Sequence, residues 1–326
     1  MVVQQPDKEA LMNDSIKKGT ICVVGAGLMG HGIAQIFAVK GYNVWISDID
    51  EKVLNQALVN IRKNLALFAE NDLVSQDEIE PALSRIRISI SLEEAASTAE
   101  VVIEAVSENL ELKQTIFKQL DEICSPGTIL CTNTSVISIT QIAEKAINKS
   151  RIVGTHFWNP SHLIPLVEVV PGDQTNPETV DRTYDFLSSV GKHPVKVKKD
   201  VPGFVGNRLQ HALWREAISI VDQGIAEPAV VDEVIKMGFG IRLPVLGPLE
   251  NADLVGLDLT HAIHDYILEH INASPEPAPI LKTKIDQGCL GFKTGEGLQK
   301  WTDDEKAGVR SRLFDHLVAW NKLNDS

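Results

Sequence analysis

Short apolar runs rich in β-branched residues alternate with amphipathic stretches through the first two thirds of the chain. Each run has about the length of one strand and ends in glycine or polar residues. The runs occupy residues 20–27, 43–50, 85–90, 100–106, 128–135, 151–157, 163–170 and 193–199. Helical stretches such as 30–41 and 112–123 separate them. This alternation predicts a mostly parallel, doubly wound sheet that is covered by helices on both faces.

Two segments depart from this alternation. Residues 51–69 and 76–84 have helical periodicity and are joined by the polar turn ENDLVSQ, which predicts a helical hairpin inserted into the sheet domain. Beyond residue 199, apolar residues recur only at helical spacing, over 204–223, 228–237, 252–271, 277–287 and 303–323. We therefore expect an α/β domain over 19–200, an all-α domain over 201–326, and a flexible arm over 1–18.

A glycine-rich turn, GAGLMG, directly follows the first apolar run and opens the first helix. Gly25 would allow the tight turn, Gly27 would let the backbone approach a pyrophosphate, and Gly30 would let helix and strand pack closely. Leu28 and Met29 begin the helix, whose free N–H groups favour phosphate. The pattern predicts a Rossmann-type dinucleotide site; a turn without a ligand and a flavin site are the alternatives.

The second apolar run leads to Asp48, eighteen residues beyond Gly30. A carboxylate at this point accepts hydrogen bonds from a ribose 2′-hydroxyl and repels a 2′-phosphate. No arginine or lysine follows Asp48 directly, although Lys52 is near in sequence. The preferred cofactor is therefore expected to be NAD.

Polar residues follow several of the predicted strands, at the sheet edge where doubly wound folds bind ligands. They are Glu104 to Glu108 in EAVSE, Asn133 to Ser135 in NTS, His156, and Asn159 three residues beyond it. Each could be a locally satisfied polar group. Their shared position at the ends of strands favours a ligand-binding role.

His156 and Glu168 lie in neighbouring apolar runs separated by the turn WNPSHLIP. If Glu168 faces the cleft, it can hold one imidazole nitrogen and leave the other as a proton acceptor. A core histidine and an exposed strand carboxylate are the alternatives. Asn207, at the start of the first helix of the second domain, is either a capping residue or a substrate contact. Together these residues indicate a dehydrogenase with a histidine acid–base.

Charge narrows the choice of partners. The 326-residue chain has 31 basic and 44 acidic residues, a net charge of −13. So acidic a surface argues against nucleic acid and against an anionic membrane. The sequence shows neither a signal-peptide pattern nor an apolar run long enough to span a bilayer. Its four cysteines have no metal-ligand spacing, so we expect reduced thiols in a cytoplasmic protein and no metal site. The expected partner is a small-molecule substrate.

The motifs of the chain, taken in order, resemble those of the L-3-hydroxyacyl-CoA dehydrogenases. They are GAGLMGHGIAQ, EAVSENLELK, NTS, HFWNP with LVEV, DVPGFVGNR, GPLENADLVGLD and GFKTGEG, between about residues 19 and 301. The resemblance implies that His156 is the base and Glu168 its partner. It implies that Ser135 and Asn207 hold the substrate oxygens, and that the protein is a homodimer joined through the helical domain.

The same resemblance assigns further cofactor contacts. It implies that Glu108 and Lys113 of EN-x-x-x-K touch NAD, together with Asn159; Asn133 and Ser135 of the NTS motif are expected beside them. The implied reaction is the oxidation of an L-3-hydroxyacyl-CoA substrate to its 3-keto product.

Departures from the family pattern concern the substrate. The middle of HFWNPSHLIPLVEV differs from the usual family sequence, and GIRLPVLGP stands in place of another short family stretch. The hairpin has only two basic residues between residues 53 and 84, Arg62 and Lys63, that could bind the phosphates of CoA. Arg242, in the altered stretch, either receives a free carboxylate or is a surface residue. Small free hydroxy acids such as carnitine, gulonate or pyridine carboxylates, or a diketone, are therefore alternative substrates. A non-catalytic, crystallin-like NAD-binding protein is the third alternative.

Overall fold

The computed structural model of the protein describes residues 19–324, so the predicted flexible arm over 1–18 lies outside the described residues. The described chain forms two compact units. One ends at Val205 and is rejoined from Leu317 onward, and the other comprises Gly206–His316. The sequence places the domain boundary just before this division, at residues 200 and 201. It does not anticipate the return of the last residues to the first unit.

The first unit is built on one eight-stranded sheet with the strand order β3-β2-β1-β4-β5-β6-β7-β8. Its strands are β1 Thr20–Val24, β2 Asn43–Ser47, β3 Ile86–Ser89, β4 Val101–Glu104, β5 Ile129–Thr132, β6 Ile152–Phe157, β7 Leu166–Pro171 and β8 His193–Lys196. Neighbouring strands are parallel except β6 and β7, which are antiparallel. Each apolar run of the sequence thus contains one strand, and the mostly parallel sheet is confirmed.

Helices cover both faces of the sheet, as a doubly wound fold requires. In this unit they are α1 Leu28–Val39, α2 Glu51–Glu70, α3 Ile79–Ser84, α4 Leu92–Ala96, α5 Leu110–Ile123, α6 Ile139–Ile142 and α7 Pro177–Ser189. Side chains of α1, α2, α3 and α7 form one core with the sheet, and those of α4, α5 and α6 form the other. The burial of each leucine or isoleucine in these cores contributes about 1.5–3 kcal/mol.

The predicted helical hairpin is confirmed in α2 and α3. Asp50 caps α2 by accepting a 2.8 Å hydrogen bond from the backbone N–H of Lys52. The buried residues of α2, Leu54, Ala57, Ile61 and Leu65, recur at helical spacing and face the core. Its opposite face is polar, and Arg62 there pairs with Glu80 of α3.

The second unit is helical, as its apolar periodicity predicts. Its helices are α8 Gly206–Asp222, α9 Pro228–Met237, α10 Pro248–Val255, α11 Leu257–Ile267 and α12 Pro279–Asp286, and α13 Asp303–Asn324 begins in this unit and ends in the first. The stretch of helical spacing over 252–271 contains parts of two helices, because Gly256 has a φ of +98° that ends α10. Among the described residues, no helix is both long and apolar enough to cross a membrane.

Candidate active site

The glycine-rich turn joins β1 to α1 with no room for side chains at two of its positions. Gly25 has a φ of +99°, and a Cβ there would lie 2.7 Å from the carbonyl oxygen of Ala105. A Cβ on Gly30 would lie 1.8 Å from the Gly25 oxygen. A Cβ on Gly27 would meet open space, and no side chain caps α1. The turn therefore brings backbone N–H groups to a surface that is open to a phosphate.

Asp48 closes one side of this turn. Its Oδ2 accepts a 2.9 Å hydrogen bond from the N–H of Ala26, and its Oδ1 accepts one of 3.2 Å from Asp50. A cleft of about 400 Å³ lies beside it and is lined by Gly25, Gly27 and Asp48. Apolar side chains such as Ile90 and Val106 also line this cleft. A carboxylate, open backbone and apolar walls fit the ribose, phosphates and base of a dinucleotide.

A buried ion pair lies at the end of β4. Glu104 and Lys113 have no exposed side-chain surface, and the Nζ of Lys113 is 2.7 Å from Oε1 of Glu104. The other oxygen of Glu104 accepts a 2.7 Å hydrogen bond from the hydroxyl of Thr132, at the end of β5. The Nζ of Lys113 also lies 3.4 Å from Glu108. This network fixes the loops that follow two central strands.

Glu108 organises the loop after β5. Its Oε1 accepts hydrogen bonds from the hydroxyl of Thr134, at 2.9 Å from the N–H of Ser135, and at 3.2 Å from the N–H of Val136. Burial alone would raise the pKa of Glu108, but these donors and the cation of Lys113 hold it below its usual range. The carboxylate thus stays ionised and holds Ser135 in place.

His156 and Glu168 face each other directly across the antiparallel strands β6 and β7. The imidazole Nδ1 is 2.8 Å from Oε2 of Glu168, and both side chains are buried, at 4% and 1% exposed. Oε1 of Glu168 accepts a 2.9 Å hydrogen bond from the N–H of Val205. Within the part of the chain that the structure describes, Nε2 of His156 has no hydrogen-bond partner. The carboxylate can therefore fix the tautomer while the other nitrogen accepts a proton.

Aromatic rings confine this imidazole. The ring centroids of Trp158 and Phe204 lie 5.1 Å and 5.8 Å from that of His156. Phe204 is buried and has a φ of +48°, a backbone conformation that non-glycine residues adopt only rarely. Sequence reasoning did not single out Trp158, Phe204 or the amide of Val205. Their nearness to His156 follows from the turns after β6 and β8, and the apolar pattern does not fix these turns.

The chain matches two domains of one family of enzymes. The NAD binding domain of 3-hydroxyacyl-CoA dehydrogenase matches residues 20–201, and the C-terminal domain of the same enzyme matches residues 203–301. The chain belongs to the 3-hydroxyacyl-CoA dehydrogenase family. It is an oxidoreductase with NAD as its cofactor, and its glycine turn, Asp48 and cleft fit that cofactor.

Members of the 3-hydroxyacyl-CoA dehydrogenase family with different substrates resemble this chain. A probable 3-hydroxybutyryl-CoA dehydrogenase of Bacillus subtilis is 39% identical over 87% of this chain and 97% of that protein. A solved 5-formyl-3-hydroxy-2-methylpyridine 4-carboxylic acid 5-dehydrogenase, an NAD⁺ dependent dismutase, has a TM-score of 0.87 at 30% identity and covers 95% of this chain and 99% of its own. The (S)-3-hydroxybutyryl-CoA dehydrogenase of Ralstonia eutropha has a TM-score of 0.73 at 35% identity and covers 88% and 100%.

The structure also gives the surroundings of the other residues expected at the site. Lys113 is fully buried, so it would act on a cofactor through Glu108 and not through its own surface. Asn133 is buried, and its Oδ1 accepts a 2.9 Å hydrogen bond from the N–H of Phe157. Asn159 is exposed in the turn after β6, where the cofactor contact stays a prediction. Asn207, in α8, and Arg242, exposed in a short 3₁₀ helix, belong to the helical unit, and their substrate contacts also stay predictions.

Proposed function

We propose that the protein is an NAD-dependent dehydrogenase that oxidises an L-3-hydroxyacyl substrate, of the 3-hydroxyacyl-CoA type, to the 3-keto product. The observation that carries this proposal is the cross-strand pair of His156 and Glu168, whose Nδ1 contact leaves Nε2 available. A buried imidazole with one nitrogen held by a carboxylate is a general base with a defined tautomer.

In the proposed reaction, Ser135 and Asn207 orient the oxygens of the substrate, and Nε2 of His156 takes the proton of the 3-hydroxyl group. The C–H bond at that carbon breaks as the carbonyl forms, and bound NAD supplies the acceptor for the hydride. Glu168 stabilises the imidazolium that results, and aromatic neighbours keep water from it. Positioning of the reactants supplies much of the rate.

A small free hydroxy acid is the second candidate substrate, and two observations favour it. The hairpin segment 51–84 has six acidic and three basic residues, a net charge of −3, and Arg62 is engaged by Glu80. That surface repels the phosphates of CoA. The solved pyridine carboxylate dehydrogenase has a TM-score of 0.87 with this chain, whereas the solved (S)-3-hydroxybutyryl-CoA dehydrogenase has one of 0.73. Under this candidate Arg242 receives the substrate carboxylate.

NADH formation with a matched set of substrates tests both candidates. The set is 3-hydroxybutyryl-CoA, free 3-hydroxybutyrate, carnitine, gulonate and the pyridine carboxylate of the solved relative, each with NAD in excess. Higher kcat/KM for the thioester than for free 3-hydroxybutyrate supports the first candidate, and preference for a free acid supports the second. Binding of NAD without turnover of any of them would contradict both and favour a non-catalytic protein.

We also propose a homodimer joined through the helical unit, in a reducing, cytoplasmic compartment. Large apolar side chains are exposed on α8 and α9, including Leu209, Trp214, Val234 and Met237. Cys22, Cys124 and Cys131 are unpaired and buried, and burial raises the pKa of Cys131 to about 12, which keeps it an unreactive thiol. Sedimentation equilibrium tests the dimer, and a monomer at micromolar concentration would contradict it.

A further inference from the structure

A second cavity, of about 130 Å³, lies in the sheet unit behind the turn that joins β6 to β7. Its walls come from α1, the end of α2, the turn itself, the turn between α7 and β8, and the last turns of α13. The lining includes Gln35, Phe68, His162, Lys192 and Asn321. Such a volume holds more than one water-sized group.

The side chain of Gln35 on α1 has no partner although it is buried. It is 1% exposed, and within residues 19–324 neither its Nε2 nor its Oε1 makes a hydrogen bond. Nδ1 of His162 is likewise buried without a partner in that part of the chain. An unpaired buried amide destabilises the fold by about 1–3 kcal/mol, which indicates that something polar fills this space.

Lys192 brings a positive charge to the same cavity. Its Nζ donates hydrogen bonds of 2.6 Å and 2.9 Å to the backbone oxygens of Ser161 and Ile164, which leaves one N–H for a ligand. No ion pair with an acidic residue forms at Lys192 among the described residues. Burial lowers the pKa of Lys192 to about 7, as expected for a cation without a counter-ion.

The charge of the lining selects the ligand. In a protein of net charge −13, the described residues around this cavity include Lys40 and Lys192 and no aspartate or glutamate. Burial and the neighbouring charges of His31 and Lys192 lower the pKa of His162 to about 4, so its imidazole is neutral near pH 7. An ammonium, an amide and a neutral imidazole together suit an anion with several oxygens.

We propose that this cavity is a binding site for a small oxyanion, a carboxylate or a phosphate, held by Lys192 and Gln35. An oxygen of the anion accepts the third N–H of Lys192, and another accepts from Nε2 of Gln35. A phosphate also carries a hydroxyl that donates to Oε1 of Gln35. The site is separate from the cleft beside Asp48 and does not rest on the proposed reaction. Occupancy would brace the turn between His156 and Glu168.

Calorimetric titration of the full chain with sodium phosphate and with sodium acetate tests the proposal. Saturating NAD is present, so that phosphate cannot report on the glycine-rich turn, and sodium chloride at equal ionic strength is the reference. Wild-type protein is expected to bind one of the two anions at one site, and the two arms identify which. Heat from neither anion above the chloride reference would mean that only water fills the cavity and would overturn the proposal.

Gln35→Leu is the decisive variant, because Gln35 makes no hydrogen bond that the substitution could break. Its affinity for the anion should fall at least about tenfold, the equivalent of one hydrogen bond to a charged group. Gln56→Leu, on the exposed face of α2, is the matched control and should bind the anion as wild type does. Gln35→Glu should abolish binding by offering Lys192 a carboxylate of its own. Equal affinity in wild type, Gln35→Leu and Gln35→Glu would overturn the proposal.

Discussion

Two buried acid–base pairs lie in the sheet unit, and they differ in what each leaves unsatisfied. Lys113 is 2.7 Å from Glu104 and 3.4 Å from Glu108, and the second oxygen of Glu104 holds Thr132. The ammonium of Lys113 and both carboxylate oxygens of Glu104 thus contact partners within the same network. Such a closed arrangement fixes the loops after β4 and β5 and offers nothing to a substrate.

The pair of His156 and Glu168 is closed on one side only. Glu168 holds Nδ1 of the imidazole and the N–H of Val205, while Nε2 faces no partner in the described chain. Both pairs are buried near the ends of strands in the same sheet. Burial alone therefore does not distinguish a pair that stabilises the fold from a pair that can take part in a reaction. The distinguishing feature is the one unsatisfied nitrogen.

His156→Gln should have the largest effect on turnover. The glutamine can still hydrogen-bond to Glu168 but cannot accept a proton at neutral pH, so kcat should fall by about 10²–10⁴-fold. NAD affinity should persist, because the glycine turn and Asp48 are untouched. Steady-state NADH formation with the best substrate of the matched set measures the first, and calorimetric titration with NAD measures the second.

His193→Gln is the matched control for this variant. His193 is exposed at the start of β8, and its substitution should leave kcat unchanged. An undiminished kcat in His156→Gln would show that the open nitrogen is not the base.

Lys113→Met should have the largest effect on stability. It leaves the carboxylate of Glu104 buried without its cation, which lowers the free energy of unfolding by about 3–5 kcal/mol. Urea unfolding followed by circular dichroism measures this. Lys118→Met, exposed on the same helix, should unfold at the wild-type midpoint. If the two variants unfolded alike, the closed network would not be the structural element inferred here.

Asp48→Asn tests whether the carboxylate of Asp48 sets the preference for NAD over NADP. This carboxylate lies at the same sheet edge and accepts its hydrogen bonds from the backbone. Asparagine retains an acceptor for the N–H of Ala26 but loses the charge that repels a 2′-phosphate. The ratio of kcat/KM for NAD to that for NADP should fall by about tenfold, the equivalent of ~1.4 kcal/mol. An unchanged ratio would show that Asp48 serves only to hold the turn.

The pair with the open imidazole nitrogen was predictable from sequence, and the closed pair was not. His156 and Glu168 are conspicuous because they interrupt apolar runs in adjacent strands, and their strands place them in register. Lys113 lies on an amphipathic helix, where a lysine usually indicates a solvent face. Only the tertiary packing of α5 against the ends of β4 and β5 shows that this lysine is buried.

The sequence likewise does not show where a helix packs when its packing partners are distant along the chain. The apolar runs define the eight strands because each is as long as one strand and is bounded by turn residues. The 22 residues of α13 carry no comparable signal for where they pack. Asn321 of that helix donates a 3.0 Å hydrogen bond to the oxygen of Leu163, in the turn between His156 and Glu168. Periodicity defines such a helix but not its neighbour.

Arg62→Ala should have the smallest effect on stability, because it removes an exposed charge pair and not a buried one. Arg62 and Glu80 join α2 to α3, and their hydrogen bond raises the pKa of the guanidinium and lowers that of the carboxyl. Both side chains are more than half exposed, so water replaces the lost contact and salt already screens it. The urea midpoint should equal that of wild type within error, at both low and high salt. A shift as large as that of Lys113→Met would mean that contact geometry, and not burial, decides what a charge pair contributes to this fold.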